Sequence, residues 1–329
     1  MKILITGGAG YIGSHVAKAL LEANRHDVVI LDNLCKGSMR AIEALRDAGE
    51  FEFVQESLEN TPAIEKLFKR EKFDAIIHFA AFIEVFESTQ NPLKYYLNNT
   101  ANAMNLIALA NKYGVKDFIF SSTAATYGEP GVPQVSEETP QNPINPYGRS
   151  KLMVEWVLKD AAAANPNFKY GILRYFNVAG AASDGTIGQN YPNATHLIKV
   201  ATQTIVGKRD KMSIFGDDYD TKDGTCIRDY IHVEDLASAH LAVLDYLQSN
   251  DSAVFNVGYG TGFSVKEVVN EAKKVSGVDF KVEIAPRRAG DPACLISNAG
   301  KIRTKTSWHP EHESLDEIIL SALNWEKKL

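Results

Sequence analysis

Tyr147 and Lys151 stand four residues apart in Pro146-Tyr147-Gly148-Arg149-Ser150-Lys151, a run that opens a predicted helix continuing through Met153, Val154 and Val157. At that spacing the phenol and the ammonium share one helix face, about a turn apart. A nearby cation favours tyrosinate and lowers the phenol from its reference of about 10 toward neutral pH, so Tyr147 is a candidate acid/base and Lys151 its activator. A Tyr and Lys pair at this spacing also arises by chance in many helices, and context has to decide. That context is Phe120-Ser121-Ser122-Thr123-Ala124-Ala125-Thr126-Tyr127-Gly128, where a predicted strand ends in hydroxyls. Thr123 is the candidate to hydrogen-bond a reacting oxygen and help pass its proton, with Ser121 and Ser122 as competitors.

A second constellation lies at the start of the chain. Gly7-Gly8-Ala9-Gly10-Tyr11-Ile12-Gly13 follows a short apolar strand, and Ser14 then opens a helix. Gly8, Gly10 and Gly13 fit one dinucleotide-binding spacing, while Gly7, Gly10 and Gly13 fit a related one. Glycines there allow a tight turn and close approach of backbone to a pyrophosphate at the helix N-terminus. Asp32 ends the next predicted strand, placed to accept hydrogen bonds from ribose hydroxyls and to repel a 2′-phosphate. The expected cofactor is NAD; Lys36 nearby leaves NADP open. Lys151 is also positioned to hold the nicotinamide ribose.

These residues need a scaffold. Apolar runs at 2–6, 27–31, 51–55, 74–79, 117–121 and 169–174 alternate with helix-like stretches at 14–24, 62–70, 100–113 and 147–164. That alternation predicts an α/β fold, a Rossmann-type doubly wound parallel sheet covered on both faces. Ala103, Met104, Ile107 and Ala110 are expected on one core-facing helix face. After about Asn177 the sequence turns loop-rich, with Gly180, Gly185, Gly188, Pro192 and Gly216. The expected division is a cofactor domain over 1–176, a smaller α/β substrate domain over 177–329, and a return of chain to the first domain around 227–247.

The 329 residues carry a net charge of −6 with no basic block, which argues against nucleic acid or an anionic membrane as partner. No apolar run approaches the ~18 residues of a membrane span. Met1 runs directly into an apolar strand, so no leader is expected and the expected location is cytoplasmic. Cys35, Cys226 and Cys294 are widely separated, which predicts neither a disulfide framework nor a metal site.

The glycine turn, the Ser-Ser-Thr strand end, Tyr147-x-x-x-Lys151, Arg174-Tyr175-Phe176-Asn177, Ile214-Phe215-Gly216, Arg228-Asp229-Tyr230-Ile231-His232-Val233 and Arg287-Arg288-Ala289-Gly290-Asp291 together resemble the UDP-glucose 4-epimerase family, of the extended short-chain dehydrogenase/reductase type. The resemblance spans nearly the whole chain. It implies a concealed redox cycle on tightly held NAD, in which a 4-keto sugar forms, rotates and is reduced on its opposite face. By the same resemblance Tyr11, Ile12, Asn33, Ser57, Leu58, Phe79, Ala80, Asn98 and Tyr175 join the cofactor site. Asn177 is implied at the diphosphate or sugar, His196 and Leu197 along the UDP, Ser213, Ile214 and Phe215 beside the uracil, Arg228 and Arg288 on phosphate, and Asp291 on ribose. Guanidinium suits a diphosphate because its donors pair with two oxygens at once; between Arg287 and Arg288 the sequence does not choose.

Some positions depart from the family pattern. Thr123 replaces a common serine and keeps the hydroxyl. Ser57 stands where an aspartate is frequent, and Ile83 where a lysine often touches the cofactor. Two other readings compete: an NDP-sugar 4,6-dehydratase, and a non-catalytic nucleotide-sensing module. The dehydratases usually carry Asp-Glu after the active-site threonine, whereas Ala124-Ala125 follow here and cannot transfer a proton. A sensing module would not need Tyr147 and Lys151. In this family a position shortly after Arg-Arg-x-Gly-Asp lines the sugar pocket, and a large aromatic there excludes N-acetylated sugars. Cys294 and Leu295 are the candidates, neither aromatic, so UDP-Glc/UDP-Gal and UDP-GlcNAc/UDP-GalNAc are both expected substrates. A homodimer through helices 100–113 and 147–164 is the expected assembly.

Overall fold

The computed structural model describes residues 1–191 and 194–329; Pro192, one of the loop markers, lies outside them. The first half runs β1 (Lys2–Thr6), α1 (Tyr11–Ala23), β2 (Asp27–Asp32), α2 (Met39–Leu45), β3 (Phe51–Gln55), α3 (Thr61–Arg70), β4 (Ala75–His78), α4 (Val85–Gln90), α5 (Pro92–Tyr95), a π-helical turn (Tyr96–Ala101), α6 (Asn102–Lys112), β5 (Asp117–Thr123), α7 (Pro146–Ala164) and β6 (Lys169–Tyr175). The second half runs β7 (Asn177–Ala179), α8 (Leu197–Ile205), β8 (Met212–Phe215), β9 (Ile227–His232), α9 (Val233–Leu247), β10 (Ala253–Val257), β11 (Gly262–Ser264), α10 (Val265–Ser276), β12 (Val282–Ala285), β13 (Cys294–Leu295), α11 (Gly300–Lys305) and α12 (Leu315–Glu326).

Seven strands form one sheet in the order β10-β6-β5-β4-β1-β2-β3, every pairing parallel. Alternation along each strand divides the core into two layers. Ile3, Ile5, Val28, Ile30 and Ile119 pack with α1 and α9 on one face. Leu4, Val29, Leu31, Ile76, Phe118 and Phe120 pack with α3, α6 and α7 on the other. Strand order reverses between β1 and β4, which makes the carboxyl ends of these strands the natural ligand crevice.

A second sheet joins β11, β9 and β13, with β7 also on β9, and β8 pairs with β12. The chain returns to the main sheet through α9 and β10, whereas β9 belongs to the smaller sheet. On α6 the buried arc is Ala103, Leu106, Ile107 and Ala110, and Met104 is 46% exposed. The expected inward face was therefore misplaced at Met104, since positions i, i+3, i+4 and i+7 from Ala103 define the stripe and leave Met104 at its edge.

Candidate active site

The cofactor end is built around a helix that starts without a plug. Gly10 is the N-cap of α1 and supplies no side-chain hydrogen bond, and the first turn holds no acidic residue. Free N–H groups and the positive helix end there suit a pyrophosphate. Gly7 adopts φ +75, and a Cβ on it would sit 2.6 Å from the Ala80 nitrogen; a Cβ on Gly13 would sit 2.3 Å from the Gly7 carbonyl oxygen. A Cβ on Gly8 would instead meet the Ile30 side chain at 2.7 Å. Gly7, Gly10 and Gly13 line the cleft and Gly8 does not, so the second of the two spacings describes the turn.

The cleft has a cavity volume of about 330 Å³. Its walls include Tyr11, Ile12, Asp32, Asn33, Lys36, Ser57, Leu58, Phe79, Ala80, Asn98, Thr123, Tyr147, Lys151 and Tyr175, all expected from the sequence, together with Asn177 and His196. Asp32 is buried and accepts from Ala9 N (3.0 Å) and Leu34 N (2.7 Å). Burial raises its pKa while those N–H groups oppose the shift. Lys36 is paired with Glu84 at 3.0 Å and lies 5.3 Å from the centre of the Tyr191 ring, so its charge is already answered across the cleft. That pairing weakens the case for a 2′-phosphate.

Asn98 reaches the wall through the π-helical turn, which leads into Asn102 on the same wall. Asn99 fixes that turn: its Oδ1 accepts from Phe82 N (2.8 Å), and its Nδ2 donates to Phe82 O (2.9 Å) and Ser150 Oγ (3.1 Å). Thr100 Oγ1 adds a bond to Ser150 O at 3.0 Å. The turn, the loop after β4 and helix α7 are thus tied together at a residue between Tyr147 and Lys151.

Helix α7 is started by Asn145, whose side chain accepts from Gly148 N at 2.8 Å, and by Pro146 in its first turn. Tyr147 lies in the cleft wall, where burial pushes its phenol up to about 12 against the opposing effect of the Thr123 hydroxyl. Lys151 is 2% exposed; its Nζ donates to Ser121 O at 2.8 Å and lies 4.9 Å from the centre of the Phe120 ring. Burial lowers it to about 7. The expected lowering of the Tyr147 pKa by Lys151 is therefore not realised in the protein by itself. Burial raises the phenol, and the amine is turned to the β5 carbonyl. Of the three hydroxyls on β5, Ser122 points to Glu155 (2.5 Å) and away from the cavity, Ser121 is engaged by the Tyr175 hydroxyl, and Thr123 faces the cleft.

The remaining expected residues sit outside this cavity. Leu197 lines a small annex with Asn177, Gln189 and His196. Ser213, Ile214 and Phe215 lie on β8, and the Arg288 guanidinium covers the Phe215 ring at 3.6 Å. Arg287 is held by Asp218 at 2.6 Å and lies over Tyr219, which leaves Arg288 the better candidate for an incoming anion. Leu295 pairs with Arg228, and Asn177 with Tyr230. Because register partners and alternate residues share a face, Asn177, Arg228, Tyr230 and Leu295 fall on one side of the small sheet and Cys294 on the other. Asp291 follows Gly290, whose carbonyl accepts from Asn145 Nδ2 at 3.4 Å, so this loop abuts the start of α7. Glu84, Gln189 and Tyr191 also line the cleft and were not foreseen; they sit in irregular segments, where no periodicity marks a facing side.

Among the described residues no helix is long and apolar enough to cross a membrane. The model for the NAD dependent epimerase/dehydratase family matches residues 3–258. The UDP-glucose 4-epimerase of Azospirillum brasilense is 48% identical over 329 residues, covering 100% of this chain and 92% of that protein. The solved UDP-Glc/GlcNAc 4-epimerase of Campylobacter jejuni is 65% identical with a TM-score of 0.87, covering 100% and 99% of the two chains. The Bifidobacterium longum UDP-glucose 4-epimerase, solved in complex with NAD+ and UDP, is 36% identical with a TM-score of 0.95, covering 100% and 98%. Matched over residues 3–258, which hold the glycine turn, the parallel sheet and the Tyr/Lys helix, the chain belongs to the NAD dependent epimerase/dehydratase family.

Proposed function

We propose that the protein is an NAD-dependent UDP-sugar 4-epimerase that interconverts UDP-glucose with UDP-galactose and UDP-N-acetylglucosamine with UDP-N-acetylgalactosamine. The observation that carries this reading is the meeting of Thr123 and Tyr147 in the wall of the same cleft that holds the uncapped end of α1. The cradle of Gly7, Gly10 and Gly13, with Asp32 as ribose acceptor, fits NAD. The chemistry NAD supplies when bound there is reversible acceptance of the sugar C4 hydride. Tyr147 takes the proton of the 4-hydroxyl and gives it back, and Thr123 orients that oxygen. Lys151, in the same wall, would hold the nicotinamide ribose.

Epimerisation also requires a fixed nucleotide and a mobile sugar. Arg228 and Arg288 are assigned to the diphosphate, Asn177 and His196 to its approach, and Asp291 to the ribose. Phe215 is assigned to the uracil, with the Arg288 guanidinium over one face of its ring. This divides labour between a cofactor unit over 1–176 and a substrate unit over 177–329, with α9 and β10 returned to the first. Leu295 shares the Arg228 side of the small sheet and is not aromatic, which supports room for an N-acetyl group. The Campylobacter jejuni relative, named for both Glc and GlcNAc, supports the same breadth.

The assembly proposed is a homodimer. Leu93, Leu97, Met104, Met153 and Trp156 are 69%, 65%, 46%, 36% and 53% exposed. They form an apolar set along α5, the π turn, α6 and α7 that a second copy would cover. Sedimentation should give a dimer that Trp156→Glu converts to monomer. Free cysteines are consistent with a reducing cytoplasm.

The test is to incubate the purified protein, without added NAD, with UDP-galactose and separately with UDP-N-acetylgalactosamine, following the anomeric protons by NMR. Conversion of both to their 4-epimers is expected. Conversion of galactose alone would defeat the broader specificity. No conversion even with NAD supplied would defeat the epimerase reading.

A further inference from the structure

We propose that His232, Glu234 and His312 form a binding site for a divalent transition-metal ion of the zinc, cobalt and nickel class, separate from the nucleotide cleft. None of the three lines that cavity. His232 ends β9 and caps α9, Glu234 stands in the first turn of α9, and His312 lies in the segment between α11 and α12. One ligand atom from each lies within 4.8 Å of the others.

The outer hydrogen bonds aim both imidazoles inward. His232 Nε2 lies 3.0 Å from Ser321 Oγ, a hydroxyl that also bonds Ile318 O at 3.0 Å and accepts from Ala181 N at 3.3 Å. The Glu234 backbone N–H donates to His232 Nδ1 at 3.2 Å, so Nδ1 carries the lone pair and Nε2 the hydrogen; an ion at Nδ1 would replace that N-cap bond. His312 Nδ1 is 2.5 Å from Glu317 Oε1, so that nitrogen donates and Nε2 offers the lone pair. A carboxylate or hydroxyl behind each ring is the arrangement that fixes metal-binding histidines. Glu234 Oε2 is 3.9 Å from His232 Nδ1 and 3.6 Å from His312 Nε2. Metal bonds of about 2 Å place tetrahedral donor atoms about 3.3 Å apart, so the three side chains must draw closer to complete the set.

The backbone around the ligands is already held. Asp235, buried beside Glu234 in sequence, accepts from Glu311 N (2.8 Å) and His312 N (2.9 Å), and the Tyr259 hydroxyl lies 2.5 Å from Asp235 Oδ2 and 2.9 Å from His312 O. Ser183 N donates to Glu234 Oε1 at 3.0 Å. Glu234 and His312 side chains are 28% and 21% exposed, which gives an ion access. The same opening leaves a fourth position for water. Two imidazoles and one carboxylate select borderline metals over magnesium or calcium. A bound ion would cross-link α9, which packs against α1, to the segment that leads into α12, and so act on stability and not on the sugar chemistry.

Tag-free holoenzyme, stripped of metal by a chelator, is titrated with Co2+ while the visible d–d absorption is followed, and with Zn2+ against a chromophoric chelator. One ion per chain is expected, with a rise in unfolding temperature. His312→Ala, whose backbone stays pinned by Asp235, should keep epimerase activity, weaken binding by at least about tenfold and lose both the absorption and the thermal shift. Cys35→Ser should leave the metal binding, the absorption and the thermal shift unchanged. Absence of stoichiometric binding, equal binding by His312→Ala, or loss of binding in Cys35→Ser would each overturn the proposal.

Discussion

The Ser122 hydroxyl donates to Glu155 Oε1 at 2.5 Å, joining the end of β5 to helix α7. That carboxylate lies about two turns beyond Tyr147. It also receives Arg174 Nε at 3.0 Å and Nη2 at 2.6 Å from β6, and Arg174 Nη1 reaches the Tyr127 hydroxyl at 2.9 Å. Arg174 is 2% exposed and Glu155 0%. Glu155 thus fixes the helix that carries Tyr147 and Lys151 to β5, which carries Thr123, through Ser122 and to β6 through Arg174, and it explains why Ser122 is withdrawn from the cleft.

Breaking one side of that pair should be severe. Glu155→Gln leaves the Arg174 charge in a dry site, and a loss of about 3–5 kcal/mol in unfolding free energy is expected from denaturant midpoints. The double variant Glu155→Leu/Arg174→Met removes both charges and should be less destabilised than Glu155→Gln. A loss below about 1 kcal/mol in the single variant would mean the pair behaves as a solvated one.

Lys151 supplies a pH dependence with a definite sign. Its folded pKa of about 7 lies below the ordinary 10.5. Between those values the unfolded chain holds a proton that the folded protein lacks, so stability of the cofactor-free protein should rise with pH across that window and fall as pH drops toward 7. Lys151→Met removes this contribution. Its unfolding midpoint should exceed that of the parent near pH 6 and converge toward it by about pH 10, while turnover falls by about 10²-fold or more. Parallel stability profiles for the two proteins would show that the amine is not desolvated.

Gly7 tests the cofactor cradle. Ala there meets both an unfavourable φ of +75 and the Ala80 backbone nitrogen at 2.6 Å. Gly7→Ala should purify with little NAD, read from the absorbance ratio and from acid-released nucleotide, and lose about 1–3 kcal/mol of stability. Undiminished cofactor content would place the pyrophosphate elsewhere.

Six strands of the main sheet were legible as apolar runs whose alternate residues fill two layers; β1 and β3 follow the expected bounds, β5 extends through Thr123, and β10 was not among the expected runs. Of the cofactor wall, the glycine turn, Asp32 and Thr123 were legible at strand ends, whereas Tyr11, Ile12, Asn33, Ser57, Leu58, Phe79, Ala80, Asn98 and Tyr175 were expected only through the family resemblance. The π turn was not legible, since Asn99 is held there by Phe82 and Ser150 from distant segments. Nor could sequence give the direction of Lys151, which depends on the Ser121 carbonyl, or the cluster of His232 with His312, 80 positions apart in sequence and joined by folding. Arg287 and Arg288, equivalent as letters, are separated by the carboxylate of Asp218, which engages Arg287.

Leu295 offers the sharpest test of substrate breadth. It stands opposite Arg228 in register, so a larger side chain there projects to the same side as the proposed diphosphate ligand. Leu295→Tyr adds bulk where the sugar is expected to turn. It should lower kcat/KM for UDP-N-acetylgalactosamine by at least about tenfold, equivalent to about 1.4 kcal/mol of transition-state binding, and leave UDP-galactose within about threefold of the parent. Equal loss on both sugars would indicate general disruption of the small sheet. No loss on either would move the sugar pocket away from β13, since a residue that faces the turning ring cannot gain an aromatic ring without discriminating between a hydroxyl and an acetamido group at C2.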